Sequence, residues 1–192
     1  TGEKKGRHLG ISLIVASIPI MLVGLTFGQT VKALLFNDIS VALGLIVGGL
    51  IIWWVEKHPR PVDAEEVDNI SIKEAIYIGF IQVLALIPGT SRSGATIIGA
   101  MMLGVSRKAA TEFSFFLGIP VIVGAGLLDL YQSYDVFTTQ QDWMVLAFGT
   151  LVSFIAALIV IRVLVAYVVK RDFMVFAWYR ILSGLVILLF AL

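Results

Sequence analysis

The sequence predicts an all-α, polytopic membrane protein with five transmembrane helices and one re-entrant helical hairpin. Three observations predict it. Of 192 residues, 59% are hydrophobic and 14% charged, and the mean hydropathy is +0.98; a soluble domain carries roughly 25% charged residues. The apolar residues fall in long runs without a heptad or Gly-x-y period, which excludes coiled coil, collagen and disorder. Such runs must be helices in a bilayer, because lipid offers the backbone no water to bond. Residues 1–192 read as a single membrane domain.

Taken in order, the first apolar run covers 9–27 and the second 41–55. Pro19 is expected to kink the first span. A polar acidic loop follows over 56–69, with Asp63, Glu65, Glu66 and Asp68 as a solvated charge run. Ser71-Ile-Lys-Glu74 is a capping box that starts a helix. That helix is expected to run to Ile87 and stop at Pro88-Gly89. A short apolar piece occupies 93–105. The next helix starts near Ser106, is interrupted by Pro120 and ends near Leu130. A loop at 132–142 leads to spans over 143–169 and 174–192, separated by Lys170-Arg171-Asp172. Trp53, Trp54, Trp143 and Trp178 sit near span ends as interface anchors.

A span needs about 20 residues to cross about 30 Å. Five runs approach that length, allowing for tilt. The two pieces around Pro88-Gly89 do not, so they form either one broken span or a re-entrant hairpin. Charge favours the hairpin. With the amino terminus in the cytoplasm, Lys4, Lys5, Arg7, Lys57, Arg60, Lys73, Arg107, Lys108, Lys170 and Arg171 all lie inside. Only Lys32 lies outside, and the 132–142 loop outside has no lysine or arginine. This satisfies the positive-inside rule and puts the carboxyl terminus outside.

Gln82 to Thr96 is the segment that carries chemistry. A helix ends at Pro88, and small hydroxylated residues surround one arginine within an apolar region. An arginine there costs at least about 2.5 kcal/mol unless it meets a polar cavity or an anion. The next half-helix begins with amides that lack intrahelical partners, and these favour an anion. Arg92 adds a planar fork matched to phosphate oxygens. Ser91, Ser93 and Thr96 add hydroxyls, while Gly89 and Gly94 allow close backbone approach. The bland alternative is a small-residue packing patch with Arg92 in a structural pair; packing explains the glycines but not Arg92.

Two other phosphate motifs fail. Gly89-x-x-x-x-Gly94-Ala95-Thr96 has P-loop spacing, but Ala95 stands where the lysine belongs and no strand precedes it. The lipid-phosphatase pattern Ser-Arg-x5-His-x3-Asp would need histidine at Ile98 and aspartate at Met102. Glu112 lies inside a span and is a candidate by default, with an ion pair to Arg92 or Arg107 as the alternative. Arg180 would contact phosphate, with snorkelling to the interface or helix pairing as the favoured alternative, and Arg162 would snorkel. His8 and His58 read as interfacial. Net charge is +1 and no basic stripe is interleaved with aromatics, so no nucleic-acid partner is expected. The absence of cysteine removes disulfides and thiolate sites.

Pro88-Gly89-Thr90-Ser91-Arg92-Ser93-Gly94-Ala95-Thr96 resembles the PGxSRSxxT signature of the undecaprenyl-diphosphatase (bacitracin-resistance) family. Leu103 to Arg107, Glu112 to Phe115 and Tyr179-Arg180 resemble it too. The resemblance implies a multi-pass hydrolase of the bacterial inner membrane, with an inverted-repeat fold. It would convert undecaprenyl diphosphate to undecaprenyl phosphate plus phosphate, recycling the peptidoglycan lipid carrier. Its partners would be the polyprenyl diphosphate lipid and the bilayer, with room for a homodimer. Arg92, Ser91 and Ser93 are then the catalytic candidates. Gly89, Thr90, Thr96, Gln82, Glu112 and Arg180 are the substrate-binding candidates.

The family also has an earlier E-x-x-x-E hairpin with P-x-S-S-x-G-H, which this sequence lacks. The chain is expected to begin after that hairpin and the first span. The implied Mg²⁺ or Ca²⁺ would be held mostly by that motif, so no metal ligand is expected among the residues present. A transporter or flippase of an anionic lipid, and an inactive fragment, are the competing readings.

Overall fold

The computed structural model describes residues 2–191, with side chains from residue 4. Seven helices follow one another: α1 Gly2–Leu35, α2 Asp38–Lys57, α3 Ile72–Gln82, α4 Arg92–Met102, α5 Arg107–Gln132, α6 Gln140–Lys170 and α7 Met174–Ala191. Among the described residues there is no strand, only an isolated bridge between Ala64 and Val105. Five helices (α1, α2, α5, α6 and α7) are long and apolar enough to cross a membrane.

The helices start where their caps direct. Ser71 accepts from the Glu74 amide while Glu74 bonds back to the Ser71 amide, so the expected capping box is present. Thr139 and Asp142 make a second box at the start of α6, which the sequence reading did not mark. Ser106 caps α5 through the Ala109 amide.

Three boundaries differ from expectation. Helix α1 extends well beyond 9–27 at both ends and includes Lys4, Lys5, Arg7 and Lys32. A helix emerging from lipid keeps its backbone bonds satisfied by continuing, and long cations reach water from there. Helix α5 is not interrupted at Pro120, which lies inside it. One lost amide bond costs less in lipid than a break that would free several backbone groups. Helix α3 stops at Gln82 rather than Ile87, and Val83–Leu86 is a 3₁₀ turn. Pro88 pushes Ile87 out of the helical region, to φ −75° and ψ 123°.

Helices α3 and α4 form a hairpin whose two ends meet. The Asp63 amide donates to the Gly104 carbonyl at 2.8 Å, and the Ser106 amide donates to the Ala64 carbonyl at 2.9 Å. The Ser106 hydroxyl donates to the Glu65 carbonyl at 2.8 Å. Gly104, at φ +90°, closes α4 in a Schellman pattern, with the Val105 amide on the Ala100 carbonyl. Each arm is 11 residues, about 16 Å at 1.5 Å per residue.

The buried core gathers where α1, α3, α4 and α5 meet, around Ala16, Ile78, Ile97, Ile98, Phe113 and Leu117. Helix α2 packs along α7 through Gly49 and Gly184, where an added Cβ would meet the partner's backbone and Ile181 or Ile46. Helix α6 buries nothing along its apolar stretch and faces outward.

One ion pair ties the hairpin's base to two spans. Glu56, only 5% exposed, accepts from Arg107 Nη2 at 2.6 Å and Nε at 3.3 Å, and from the Phe173 amide at 3.0 Å. The end of α2 is thus joined to the starts of α5 and α7. Arg107→Ala is expected to cost about 2–3 kcal/mol. That lies below the roughly 3–5 kcal/mol of a fully buried orphaned carboxylate, because Arg107 is 35% exposed. Thermal unfolding in one fixed detergent measures it; an unchanged midpoint would show the pair contributes nothing.

Candidate functional site

The Pro88-Gly89 break is built as a type II turn. The Thr90 amide donates to the Ile87 carbonyl at 3.1 Å, and Gly89 takes φ +81°. An added Cβ on Gly89 would strike the Val41 carbonyl, and one on Gly44 would strike the Pro88 carbonyl. The turn is therefore seated directly on the backbone of α2.

Ser91 caps α4. Its hydroxyl accepts from the Gly94 amide at 3.1 Å and lies 3.3 Å from the Ser93 hydroxyl. The amides of Ser91, Arg92 and Ser93 meet no protein acceptor among the described residues. They form the positive end of α4.

Arg180 reaches this turn from α7. It is 9% exposed, and Nη2 donates to the Gly44 carbonyl at 3.1 Å and the Gly89 carbonyl at 2.9 Å. Its Nε is buried without a partner. Gly48 makes room for it, since a Cβ there would meet the guanidinium. No carboxylate pairs with it among the described residues. The snorkelling alternative does not hold: the side chain runs inward to the hairpin's tip, where backbone carbonyls replace water.

A cavity of about 670 Å³ opens at this point. Thr90, Ser91, Gly94 and Arg180 supply its polar end. Val47, Leu50, Ile51, Ile81, Leu84 and Ile98 are among its apolar walls. A smaller cavity of about 240 Å³ lies on the far side of the α4 start and shares Ser91, Gly94 and Arg180 with it, adding Ser93 and Tyr179.

The other candidates sit elsewhere. Arg92 turns toward α5, where Nη1 donates to the Ser114 carbonyl at 3.2 Å. Gly118 gives it space, since a Cβ there would lie 2.6 Å from Nη2. Arg92 lines neither cavity and pairs with no carboxylate among the described residues. The two arginines thus flank the start of α4 from opposite sides. Thr96 is fully buried and bonds the Arg92 and Ser93 carbonyls and the Ser114 hydroxyl, so it joins α4 to α5. Gln82 is fully buried against α1, with Nε2 3.4 Å from the Ala16 carbonyl and Oε1 unpartnered. Glu112 lies 3.9 Å from Lys108, one turn away, rather than against Arg92 or Arg107. None of these three lines either cavity.

Sequence reasoning missed Gly44, Gly48 and Glu56. Gly44-x-x-x-Gly48 is the spacing that lets another backbone approach a membrane helix, and it could have marked α2 as the floor of the site. Glu56 was read as the start of a solvated loop, and no local signal separates it from its neighbours.

A family model described as bacitracin resistance protein BacA matches residues 1–186. Undecaprenyl-diphosphatase 1 of Acinetobacter baylyi is 77% identical over 191 residues, covering 100% of this chain and 70% of the relative. Undecaprenyl-diphosphatase of Psychrobacter cryohalolentis is 60% identical over 195 residues, with 100% of this chain and 70% of the relative covered. Undecaprenyl-diphosphatase 1 of Chromobacterium violaceum is 50% identical over 182 residues, with 95% and 67% covered. A buried, carboxylate-free arginine at a broken-helix start and a match along almost the whole sequence lead to one conclusion: the chain belongs to the bacitracin resistance protein BacA family.

Proposed function

We propose that the chain is part or all of an integral membrane hydrolase that converts undecaprenyl diphosphate to undecaprenyl phosphate plus phosphate. The observation that carries it is the guanidinium of Arg180, whose Nη2 is held by two carbonyls while Nη1 lies toward Gly94, at an apolar cavity beside the α4 amides. The names of the relatives support the substrate.

Arg180 Nη1, the Ser91 hydroxyl and the free amides of α4 would hold phosphate oxygens and oppose the charge that grows on them during phosphoryl transfer. Arg92 offers a second guanidinium from the α5 side of the same helix start. Ser93 would donate from the smaller cavity. Among the described residues no carboxylate or imidazole lines either cavity, so these residues are assigned binding and charge stabilisation.

Mg²⁺ or Ca²⁺ remains part of the proposal through the family resemblance alone. Hard cations take several oxygen ligands, mostly carboxylates. The cavity offers an arginine and hydroxyls, and no three His, Cys, Asp or Glu converge among the described residues. This donor set does not fit such an ion, and no step is routed through one.

The proposed setting is the bacterial inner membrane, with the amino end of this chain cytoplasmic and the carboxyl end outside. Lys5 with Asp68, the hairpin's base, and Glu56 with Arg107 and Phe173 would all lie at one cytoplasmic end. The hairpin is then re-entrant, because both its ends lie there and its arms are too short to cross. A homodimer enters only through α6, whose outward face would meet lipid or a second copy.

The test is phosphate release from undecaprenyl diphosphate by the protein in proteoliposomes. Release that follows protein amount is expected. Movement of intact lipid across the bilayer without phosphate release would instead establish a flippase.

A further inference from the structure

Away from the candidate site, one cleft combines cations with an apolar wall. It has a volume of about 210 Å³ and lies where α2 ends, against the loop that follows, the end of α4 and the start of α5. It is separate from the large cavity at Arg180, with which it shares only Trp54 and Met102. Glu56, Arg60 and Arg107 are its charged residues, and Trp54, Val62 and Met101 are part of its apolar wall.

The ion pair at the back of this cleft is lopsided. The Glu56 carboxylate is 5% exposed and is occupied by Arg107 and the Phe173 amide, whereas the Arg107 side chain is 35% exposed. Arg107 bonds Glu56 through Nε and Nη2, and its Nη1 meets no protein acceptor among the described residues. Arg60 is exposed and forms no ion pair among the described residues. The cleft therefore presents two guanidinium groups and almost no carboxylate. His58 adds no donor: its Nδ1 donates to the Trp54 carbonyl at 2.9 Å, so the neutral ring offers only an acceptor at Nε2.

We propose that this cleft holds the phosphate of an anionic phospholipid. Guanidinium groups match phosphate oxygens in shape and charge. Basic pockets between membrane helices at the ends of spans suit acidic head groups. The wall selects a lipid over free phosphate. Trp54 is 46% exposed and Val62 53%, apolar surface that a lipid's glycerol and first methylenes would cover and a free phosphate would leave wet. About 210 Å³ is room for about seven waters at about 30 Å³ each. That takes a phosphate with its flanking ester atoms, while the acyl chains stay in the bilayer.

The experiment is native mass spectrometry of the purified protein in neutral detergent, with phosphatidylglycerol and phosphatidylcholine offered at equal concentration. The wild type is expected to retain phosphatidylglycerol at least about fivefold more strongly. Arg60→Gln removes one cation at an exposed position and should lower that retention about fivefold. Val62→Trp keeps every charge, fills the cleft from an exposed position and should abolish the preference. Lys73→Gln removes an exposed cation at the start of α3, outside the cleft, and should change retention by less than about twofold. Unfolding midpoints establish that each variant folds. Equal retention of the two lipids by the wild type, or an inert Val62→Trp, would overturn the proposal. Equal losses in Arg60→Gln and Lys73→Gln would also overturn it, by reducing the preference to general surface charge. So would full displacement of phosphatidylglycerol by inorganic phosphate at equal concentration and fixed ionic strength, which would make this a site for free phosphate.

Discussion

Replacing Arg180 with alanine is expected to lower phosphate release from a polyprenyl diphosphate by about 10²- to 10³-fold, the usual consequence of removing one preorganised donor from a growing negative charge. The side chain has two duties. Nη2 holds the Gly44 and Gly89 carbonyls, Nε is buried without a partner, and Nη1 lies toward Gly94 at the start of α4. Arg180→Lys keeps the charge but loses the planar guanidinium, in which Nη2 alone holds both carbonyls and Nη1 is left over. It should therefore recover little of the rate. Steady-state kinetics in proteoliposomes measure both, with thermal unfolding to establish that each variant folds. A folded Arg180→Ala protein within about threefold of wild-type turnover would remove this residue from the chemistry.

The second large effect is expected at Gly89, where alanine should prevent the tip of the hairpin from seating. The position takes φ +81°, which costs an L-residue about 1–2 kcal/mol. The new methyl would also strike the Val41 carbonyl, and backbone cannot give way as a side chain can. Overpacking of that kind adds about 1–3 kcal/mol. The sum predicts a loss of roughly 2–5 kcal/mol, with turnover abolished because Arg180 and the α4 amides lose their shared register. Gly94→Ala serves as the contrast. Its Cβ would meet the Ser91 side chain at 3.1 Å or more and Arg180 Nη1 at 4.0 Å, with no backbone among them, so the expected loss is smaller. Equal unfolding midpoints for the two variants would show that α2 does not constrain the turn.

Much of this was legible in the chain itself. The hydropathy runs gave five spans because lipid admits little besides helices, and the Ser71–Glu74 box fixed the start of α3. The Pro88-Gly89 break was readable because proline and a positive-φ glycine act on their own neighbours. Local chemistry also placed a capped helix start with unbonded amides at Ser91, since hydroxyls and free amides at a helix start are a local arrangement.

Which arginine enters the cavity was decided only by the tertiary structure. Arg92 lies in the motif yet turns to Ser114, whereas Arg180 comes from α7 across Gly48. Thr96 and Gln82 have the spacing of site residues, but their side chains are spent on α5 and α1. The direction of a side chain depends on which helix leaves room beside it, and that room is set by glycines far away in sequence. Sequence by itself determined that a Pro-Gly turn with hydroxyls and a helix start sits inside a bundle of spans. Packing alone determined which guanidinium lines the cavity, because the space beside each helix, and not the motif's spacing, sets where a long side chain runs.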